Sequence, residues 1–244
     1  MVAVKLPEPI NLSDLIMGII EISNDVYEKK LEGKAVVNIS LGVGYNFGRL
    51  PKPPGTWNRI PPVEPDAKED NPSAKSGTKE EHPSARDILD LLIDDLLSSD
   101  IIVVTASGNY AGWGRRNKLV HYPAVLGLTT DVIVVGAVDN AGHRASYSMG
   151  TEDQLTVSAP GDGVCAYPHN RFIKMMYDRG TSNAAAIVSG VIAGWLSQPE
   201  YKDRLQVPSK VAANVKKMVE DLAYPRIKNQ PKVIWNGVDV FKRH

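Results

Sequence analysis

Apolar residues recur along the first part of the chain at two different spacings, which predict alternating strands and helices. Residues 2–6 alternate apolar and polar side chains as a β-strand does. After Ser13 the stretch DLIMGIIEISNDVYEKKLEG has helical spacing and ends at Gly33. The run AVVNISL at 35–41 is short and mostly apolar, as expected for a strand that is buried on both faces of a parallel sheet.

The second part of the chain continues this alternation. RDILDLLIDDLLS at 86–98 has helical spacing with acidic residues on the opposite face. Three apolar, β-branched runs then predict strands: IIVVTA at 101–106, DVIVVGAV at 131–138 and LTVSAPG at 155–161. Strands that alternate with helices are joined by right-handed crossovers, so the sequence predicts an α/β fold with a mainly parallel sheet.

Two further helices are predicted near the carboxyl end. The first follows Ser182 and is almost entirely apolar, NAAAIVSGVIAGWLS, so we expect a central helix that is buried all round. Its many small residues would let neighbouring backbones approach closely. The second, at 209–223, is amphipathic and is followed by a tail with several prolines.

Residues 43–85 differ sharply from the rest, being rich in Pro, Lys, Glu and Ser with scattered aromatic residues. A loop of this length inside a compact domain is uncommon and is usually functional or disordered. Disorder or a tolerated insertion is the favoured interpretation, and a lid that contacts substrate is the alternative.

Charge and cysteine content exclude several classes of protein. The 28 basic and 28 acidic residues cancel, so no long-range field favours a nucleic acid or an anionic membrane. Cys165 is the only cysteine, which leaves no intrachain disulfide and no cysteine-based zinc site. No apolar run reaches the ~20 residues that span a bilayer, and the first residues lack the pattern of a signal peptide. A complete protein of this sequence would be cytosolic, but with an upstream region missing it could be secreted or intracellular, and we leave localisation open.

Gly180-Thr181-Ser182 stands directly before the apolar helix. A helix N-terminus favours developing negative charge, so a serine placed there can serve as a nucleophile. Serine is also a preferred N-cap residue, and the local pattern alone favours capping.

Ala106-Ser107-Gly108-Asn109 ends a predicted buried strand. Ligands of open α/β sheets bind beyond the carboxyl ends of the strands, where an asparagine amide can donate to an oxyanion. A plain Ser-Gly-Asn turn is the alternative that the local pattern favours.

Together these segments resemble a known family. VVNISLG, IIVVTASGN, YPA with DVIVVGAVDNAGHRASYSMG, VSAPG, and GTSNAAAIVSGVIAG follow the order, spacing and residue types of the C-terminal portion of subtilisin-like serine peptidases (peptidase S8, the subtilase catalytic domain). The resemblance implies their fold, a mainly parallel sheet with helices on both faces. It also implies that Ser182 is the nucleophile and that Asn109 belongs to the oxyanion hole.

The same resemblance implies a substrate-binding cleft. Ser40, Leu41 and Gly42, together with Ala106, Ser107 and Gly108, match the walls of the primary specificity pocket and the strands that pair with substrate backbone. Pairing of an extended peptide with a strand edge is β-augmentation, so polypeptide is the implied substrate.

The chain departs from the family pattern in two places. Asn183 follows the nucleophile where a small or apolar residue is common, and no proline comes after it. The catalytic Asp and the His-Gly-Thr block should precede residues 2–6, whose VAVKL resembles the strand after the family's histidine helix. No His-Gly dipeptide occurs, and the five histidines all lie downstream: His82, His121, His143, His169 and His244.

These departures set the functional expectations. His121 and His143 fall in segments that resemble peripheral connections, His169 in a hairpin before Gly180, and none is expected to act as the general base. We therefore expect a single partial peptidase domain over 1–244, truncated before the catalytic Asp and His, that hydrolyses little by itself and is poorly soluble. The alternatives are a noncatalytic peptide-binding pseudoprotease, or another α/β domain in which both motifs are only a cap and a turn.

Cofactor and assembly expectations are brief. No cofactor is expected. Calcium is possible by the family resemblance, but the acidic residues of PDAKEDN lack the spacing of a calcium loop, so no site is identified. The oligomeric state is open.

Overall fold

A computed structural model of the chain describes residues 4, 6, 12–44, 85–111, 118–169 and 172–237. Most of the predicted strand at 2–6 and most of the predicted insertion at 43–85 lie outside these residues.

Helices and strands alternate along the described chain, as the sequence predicts. The helices are α1 (Leu12–Lys29), α2 (Ala85–Ser98), α3 (Thr181–Ser197), α4 (Lys202–Leu205) and α5 (Val211–Leu222), with short 3-10 turns at Ala124–Leu128 and Pro199–Tyr201. The strands are β1 (Val36–Ile39), β2 (Val43–Gly44), β3 (Ile102–Ala106), β4 (His121–Tyr122), β5 (Ile133–Val138), β6 (Val157–Pro160), β7 (Asp162–His169), β8 (Phe172–Arg179), β9 (Tyr224–Pro225) and β10 (Lys232–Val233).

Six of these strands form one sheet in the order β1-β3-β5-β6-β10-β9. Neighbours are parallel from β1 to β10, and only β9 pairs antiparallel. Strands β2 and β4 form a small antiparallel pair beside the sheet, and β7 and β8 form a hairpin. The predicted α/β fold with a mainly parallel sheet is confirmed.

The sheet separates two apolar layers because successive side chains on a strand point to opposite faces. Ile102 and Val104 of β3 contact a core built with α3 and α5, whereas Val103 faces α1 and α2. All three side chains are fully buried. The apolar run that the sequence shows at 101–106 is therefore explained by burial on both faces.

Helix α3 is not buried all round, so that expectation is wrong. Val188 and Ile192 pack against the sheet and are fully buried, but Ile187 is 42% exposed. Side chains added at Gly190 or Gly194 would meet nothing within 4 Å. The composition of the helix is apolar on every side, yet the described residues cover only the side that faces the sheet.

Strand β1 lies at an edge of the sheet and, among the described residues, pairs with β3 alone. The expectation of exposed apolar surface and poor solubility stays a prediction. Within the described ranges, no helix combines the length and apolar content needed to cross a bilayer.

Two glycines test this packing: Gly136 is surrounded by buried atoms, and Gly190 lies in open space. A Cβ at Gly136 of β5 would lie 2.7 Å from Leu155 Cδ1 and 2.9 Å from Ser158 Oγ. We expect Gly136→Ala to lower the free energy of unfolding by about 1–3 kcal/mol through overpacking. In the 244-residue chain, Gly190→Ala, in open space on α3, should raise it by about 1 kcal/mol because alanine is the better helix former.

Urea unfolding of both variants, followed by circular dichroism, measures the two changes. Equal effects from the two substitutions would contradict the packing described for β5 and α3.

Candidate active site

The two strand ends that carry the predicted binding segments lie side by side. β1 and β3 are parallel, with Ile39 opposite Thr105, and the Thr105 hydroxyl donates to the Ile39 carbonyl at 3.1 Å. Ser40, the first residue after β1, therefore comes next to Ala106, the last residue of β3. The structure thus brings segments 40–42 and 106–108 together at the carboxyl edge of the sheet, where open α/β sheets bind ligands.

Helix α3 begins at this same edge, and an asparagine from the β3 end holds its first turn. The N-cap residue is Gly180, which has no side chain to cap the helix. Asn109 supplies the missing acceptor: its Oδ1 accepts from the Thr181 backbone N at 2.8 Å and from the Thr181 hydroxyl at 2.9 Å. The Thr181 Oγ1 also accepts from the Gly108 backbone N at 3.1 Å. The helix start and the end of β3 are therefore locked together.

Ser182 is the second residue of α3 and does not serve as its N-cap. Its hydroxyl donates across the cleft to the Ser40 backbone carbonyl at 3.0 Å. In return, the Ser40 hydroxyl lies 3.3 Å from the Ser182 carbonyl and 3.0 Å from Asn38 Oδ1. The interpretation of Ser182 as a capping residue, which the local sequence favours, is wrong because Gly180 occupies the cap position.

The orientation of the Asn109 amide follows from its partners. Both Thr181 groups are donors, so Oδ1 faces them and Nδ2 points to the other side. An ideal Cβ on Gly180 would lie 3.2 Å from Asn109 Nδ2 and 3.7 Å from the Ser182 backbone N. The Ser182 N–H is in the first turn and has no acceptor within the helix. Two N–H donors thus border a space that Gly180 leaves open.

The carbonyl of Gly161 holds the start of α3 through two hydrogen bonds. Its carbonyl accepts from the Gly180 backbone N at 2.9 Å and from Asn183 Nδ2 at 3.2 Å. The Tyr147 hydroxyl, which donates to Asp162 at 2.6 Å, fills the space beside Gly161. Burial and, to a smaller extent, the Asp162 carboxylate raise the pKa of Tyr147, so this phenol stays protonated as a donor. The polar Asn183 side chain, which departs from the family pattern, thus has a hydrogen-bond acceptor in the Gly161 carbonyl.

Among the described side chains, the Ser182 hydroxyl bonds to the Ser40 backbone carbonyl and to no histidine. His143 is exposed and its Nδ1 lies 3.2 Å from Asp139, within its own loop. His169 ends strand β7 of the hairpin, as expected. His82 and His244 lie outside the described residues. Among the described side chains, no group of three His, Cys, Asp or Glu is placed to hold a metal ion. The expectation of no cofactor, with calcium possible only by the family resemblance, stays a prediction.

His121 is the one residue of this region whose position the sequence did not reveal. Its ring lies between the two binding segments, with Cβ 2.9 Å from an ideal Cβ on Gly42 and Nδ1 3.3 Å from one on Gly108. His121 lies in the connection between β3 and β5, outside the main sheet as expected, and the β2–β4 pair places it opposite Gly44, where it is buried. The only signal in the sequence is a histidine directly before a Tyr-Pro pair.

Known proteins with similar sequences are bacterial subtilisins and proteases by name. Subtilisin DY of Bacillus licheniformis is 35% identical over 144 residues, which is 58% of this chain and 49% of the relative. The major intracellular serine protease of Bacillus subtilis is 29% identical over 102 residues, 41% of this chain and 30% of the relative. The chain therefore spans about half the length of subtilisin DY and 30% of the length of the intracellular protease.

Solved structures give the same picture. The self-cleaved protease domain of PatA has a TM-score of 0.55 and 25% identity, covering 89% of this chain and 62% of that chain. A cold-adapted subtilisin-like serine proteinase has a TM-score of 0.57 over 94% of this chain and 63% of that chain. At 17% identity this second likeness shows the fold alone. A sequence model of the subtilase family, peptidase S8, matches residues 3–229. With its fold, its strand order and this match, the chain belongs to the subtilase family of serine peptidases.

Proposed function

We propose that the chain is the nucleophile-bearing part of a serine endopeptidase that cleaves polypeptides, with Ser182 as the nucleophile. The observation that carries this proposal is the placement of the Ser182 hydroxyl beside the ends of β1 and β3, with its oxygen 3.0 Å from the Ser40 carbonyl. A capping serine would bond to its own helix, whereas this hydroxyl faces the cleft. The positive end of α3 favours the negative charge that develops when the oxygen attacks a carbonyl.

The oxyanion hole in this proposal has two donors, the Asn109 Nδ2 and the Ser182 backbone N–H. Both border the space that Gly180 keeps open, and the two donors on Thr181 hold Asn109 Oδ1, which leaves Nδ2 free to donate. Donors held rigidly before reaction stabilise the transition state without reorganisation, and one such donor is worth on the order of 10²–10³ in turnover. A tetrahedral oxyanion formed on Ser182 would occupy this space.

In this proposal the general base and its orienting carboxylate come from sequence outside residues 1–244. The Ser182 hydroxyl donates its proton in a hydrogen bond to a backbone carbonyl, which is too weak a base to remove it, and His121 and His143 have other surroundings. In subtilisin itself, loss of the histidine alone costs about 10⁶ in turnover. Residues 1–244 alone are therefore expected to hydrolyse peptides very slowly.

Two features of the fold support a missing neighbour. Gly190 and Gly194 lie in open space on α3, where each costs about 1 kcal/mol of helix stability relative to alanine. The edge of β1 pairs with no further described strand. The edge of β1 ends directly before Ser40, which contacts Ser182, whereas Gly190 and Gly194 lie about two and three turns further along α3. In this proposal a strand and a helix that carry the Asp and His would pack on these surfaces. The upstream reading frame tests this directly: if it encodes neither block, and the native protein has the 26.6 kDa mass of this chain, truncation is ruled out.

The first functional prediction concerns covalent labelling of the native full-length protein with a fluorophosphonate. We expect modification of Ser182, because only an activated serine beside an oxyanion hole reacts quickly. Ser182→Ala should abolish the labelling. Ser189→Ala is the matched control, since the Ser189 hydroxyl lies in the same helix and bonds to the Ala185 carbonyl at 2.8 Å.

Mass spectrometry of the labelled peptide measures both outcomes. Labelling that persists in Ser182→Ala would overturn the assignment of the nucleophile. Peptide binding by a full-length protein that never labels would indicate a noncatalytic binding protein instead.

The second functional prediction separates the two roles of Asn109. Asn109→Asp keeps the oxygen that accepts from Thr181 but replaces the Nδ2 donor, so the helix start should survive while kcat falls on the order of 10²–10³. Asn109→Ala loses both groups, and should also lower the free energy of unfolding by about 1 kcal/mol.

Steady-state kinetics and thermal unfolding of the full-length variants check this pair. A kcat for Asn109→Asp equal to that of the parent protein would show that the amide is not an oxyanion donor.

A further inference from the structure

We propose that His121 is an acid-sensitive switch: its protonation drives the ring out from between segments 40–42 and 106–108 and opens the β2–β4 pair. Opening of this pair releases segment 40–44, which lies beside Ser182, and return to neutral pH restores it. The inference concerns conformation, so it holds or fails independently of the reaction proposed for Ser182.

The imidazole of His121 is held in a tight space. An added Cβ on Gly42 would lie 2.9 Å from the His121 Cβ, and an added Cβ on Gly108 would lie 3.3 Å from its Nδ1. The same point beside Gly108 is 2.8 Å from the Met149 sulfur. His121 is 8% exposed, and the Tyr110 ring centroid lies 5.8 Å from that of the imidazole. These neighbours replace water around the ring and favour its neutral form.

The buried nitrogen of the ring has no acceptor for a proton. Among the described residues, His121 Nδ1 has no hydrogen-bond partner, and neither has the fully buried Ser107 hydroxyl, so the two groups do not bond to each other. A protonated imidazole donates from both nitrogens, and its Nδ1–H would then be buried, charged and unpaired. A buried charge without a partner is strongly unfavourable.

The described groups around the ring do not compensate for such a charge. Burial is the cause that lowers the pKa of His121, and no described charged side chain contributes to it. Burial also raises the pKa of the adjacent Tyr110, so this phenol stays neutral in acid. The Arg86 guanidinium of α2 lies 5.5 Å from the ring centroid of Tyr122, the next residue in β4, and is itself a cation. The remaining contacts carry no titratable side chain: segments 40–42 and 106–108, strand β2 and Met149.

Acid therefore weakens the contacts of His121. A histidine whose pKa is lowered in the fold stabilises that fold fully above its ordinary pKa of 6.5, and this contribution is lost as the pH falls through the lower folded value. The charge is relieved when the ring leaves its space and reaches water. Strand β4 has two residues and, among the described strands, pairs with β2 alone, so few backbone hydrogen bonds oppose its release.

Opening of the β2–β4 pair acts on Ser182 through Ser40. Strand β2 begins at Val43, three residues after Ser40, whose carbonyl accepts from the Ser182 hydroxyl at 3.0 Å. When β2 parts from β4, segment 40–44 loses the pairing that holds it on this side. The six-stranded sheet includes neither β2 nor β4, so it stays folded while the segment moves.

Hydrogen exchange of the 244-residue chain at pH 5 and pH 7.5, corrected for intrinsic exchange rates, tests the switch. We expect peptides that contain residues 40–44 and 119–124 to open more often at pH 5, by several-fold and at most about 30-fold, the limit that an ordinary histidine pKa of about 6.5 allows. Strands β3 and β5 should stay protected. Protection of the two peptides should return at pH 7.5.

Two substitutions remove the site of protonation. His121→Leu fills the space with an apolar side chain, and His121→Gln keeps a polar side chain that does not titrate. In each variant the ratio of opening at pH 5 to opening at pH 7.5 should stay within about 2-fold. His143→Ala removes an exposed histidine from another loop and should keep the ratio of the parent chain. Each ratio is taken within one variant, so differences in overall stability cancel.

Two results would overturn the inference. One is a parent ratio equal to those of His121→Leu and His121→Gln, which would show that another group causes the pH dependence. The other is a loss of protection in β3 and β5 together with the two peptides, which would show global unfolding. Neither result bears on the serine peptidase, because fluorophosphonate labelling tests Ser182 separately.

Discussion

The site depends on the hydrogen bonds that Asn109 Oδ1 accepts from Thr181. These bonds cap a helix whose own N-cap residue is glycine, and they tie the first turn of α3 to the end of β3. Because β3 is itself in parallel register with β1, the same contacts fix Ser182 relative to Ser40. One side chain therefore sets the distance between the helix that carries the hydroxyl and the strands that border the cleft.

Glycines make this close arrangement possible. Gly180 leaves the space between the Asn109 amide and the Ser182 N–H open, and Gly161 lets the hairpin that begins at Asp162 approach the helix start. Gly108 has a φ of +106°, a conformation that side chains other than glycine rarely adopt, and its N–H donates to Thr181. At each of these three glycines an added Cβ would come within 3.2 Å of a neighbouring atom, so the absence of a side chain permits the close approach.

The two faces of α3 differ in burial. The face toward the sheet is buried and contributes to the core that also contains α5. The opposite face is apolar, rich in small residues and open, beside a sheet edge that pairs with no further described strand. Apolar surface of this kind is stable when covered by another element, which connects the open face to the proposal that the general base is contributed from outside residues 1–244.

The sequence by itself determined the alternation of strands and helices, because burial on both faces of a parallel sheet requires continuous apolar runs such as that at 101–106. It also indicated Ser182 and Asn109 as candidate site residues. Five segments that follow the order of the subtilisin-like family are specific for it, even though each segment alone is common in other proteins. It could not show that Gly180, not Ser182, caps α3, because capping depends on backbone geometry and not on residue type alone. Nor could it place His121 between segments 40–42 and 106–108. That position arises from the pairing of β2 with β4, a contact between residues nearly 80 positions apart in the chain, and only the tertiary structure decides such contacts.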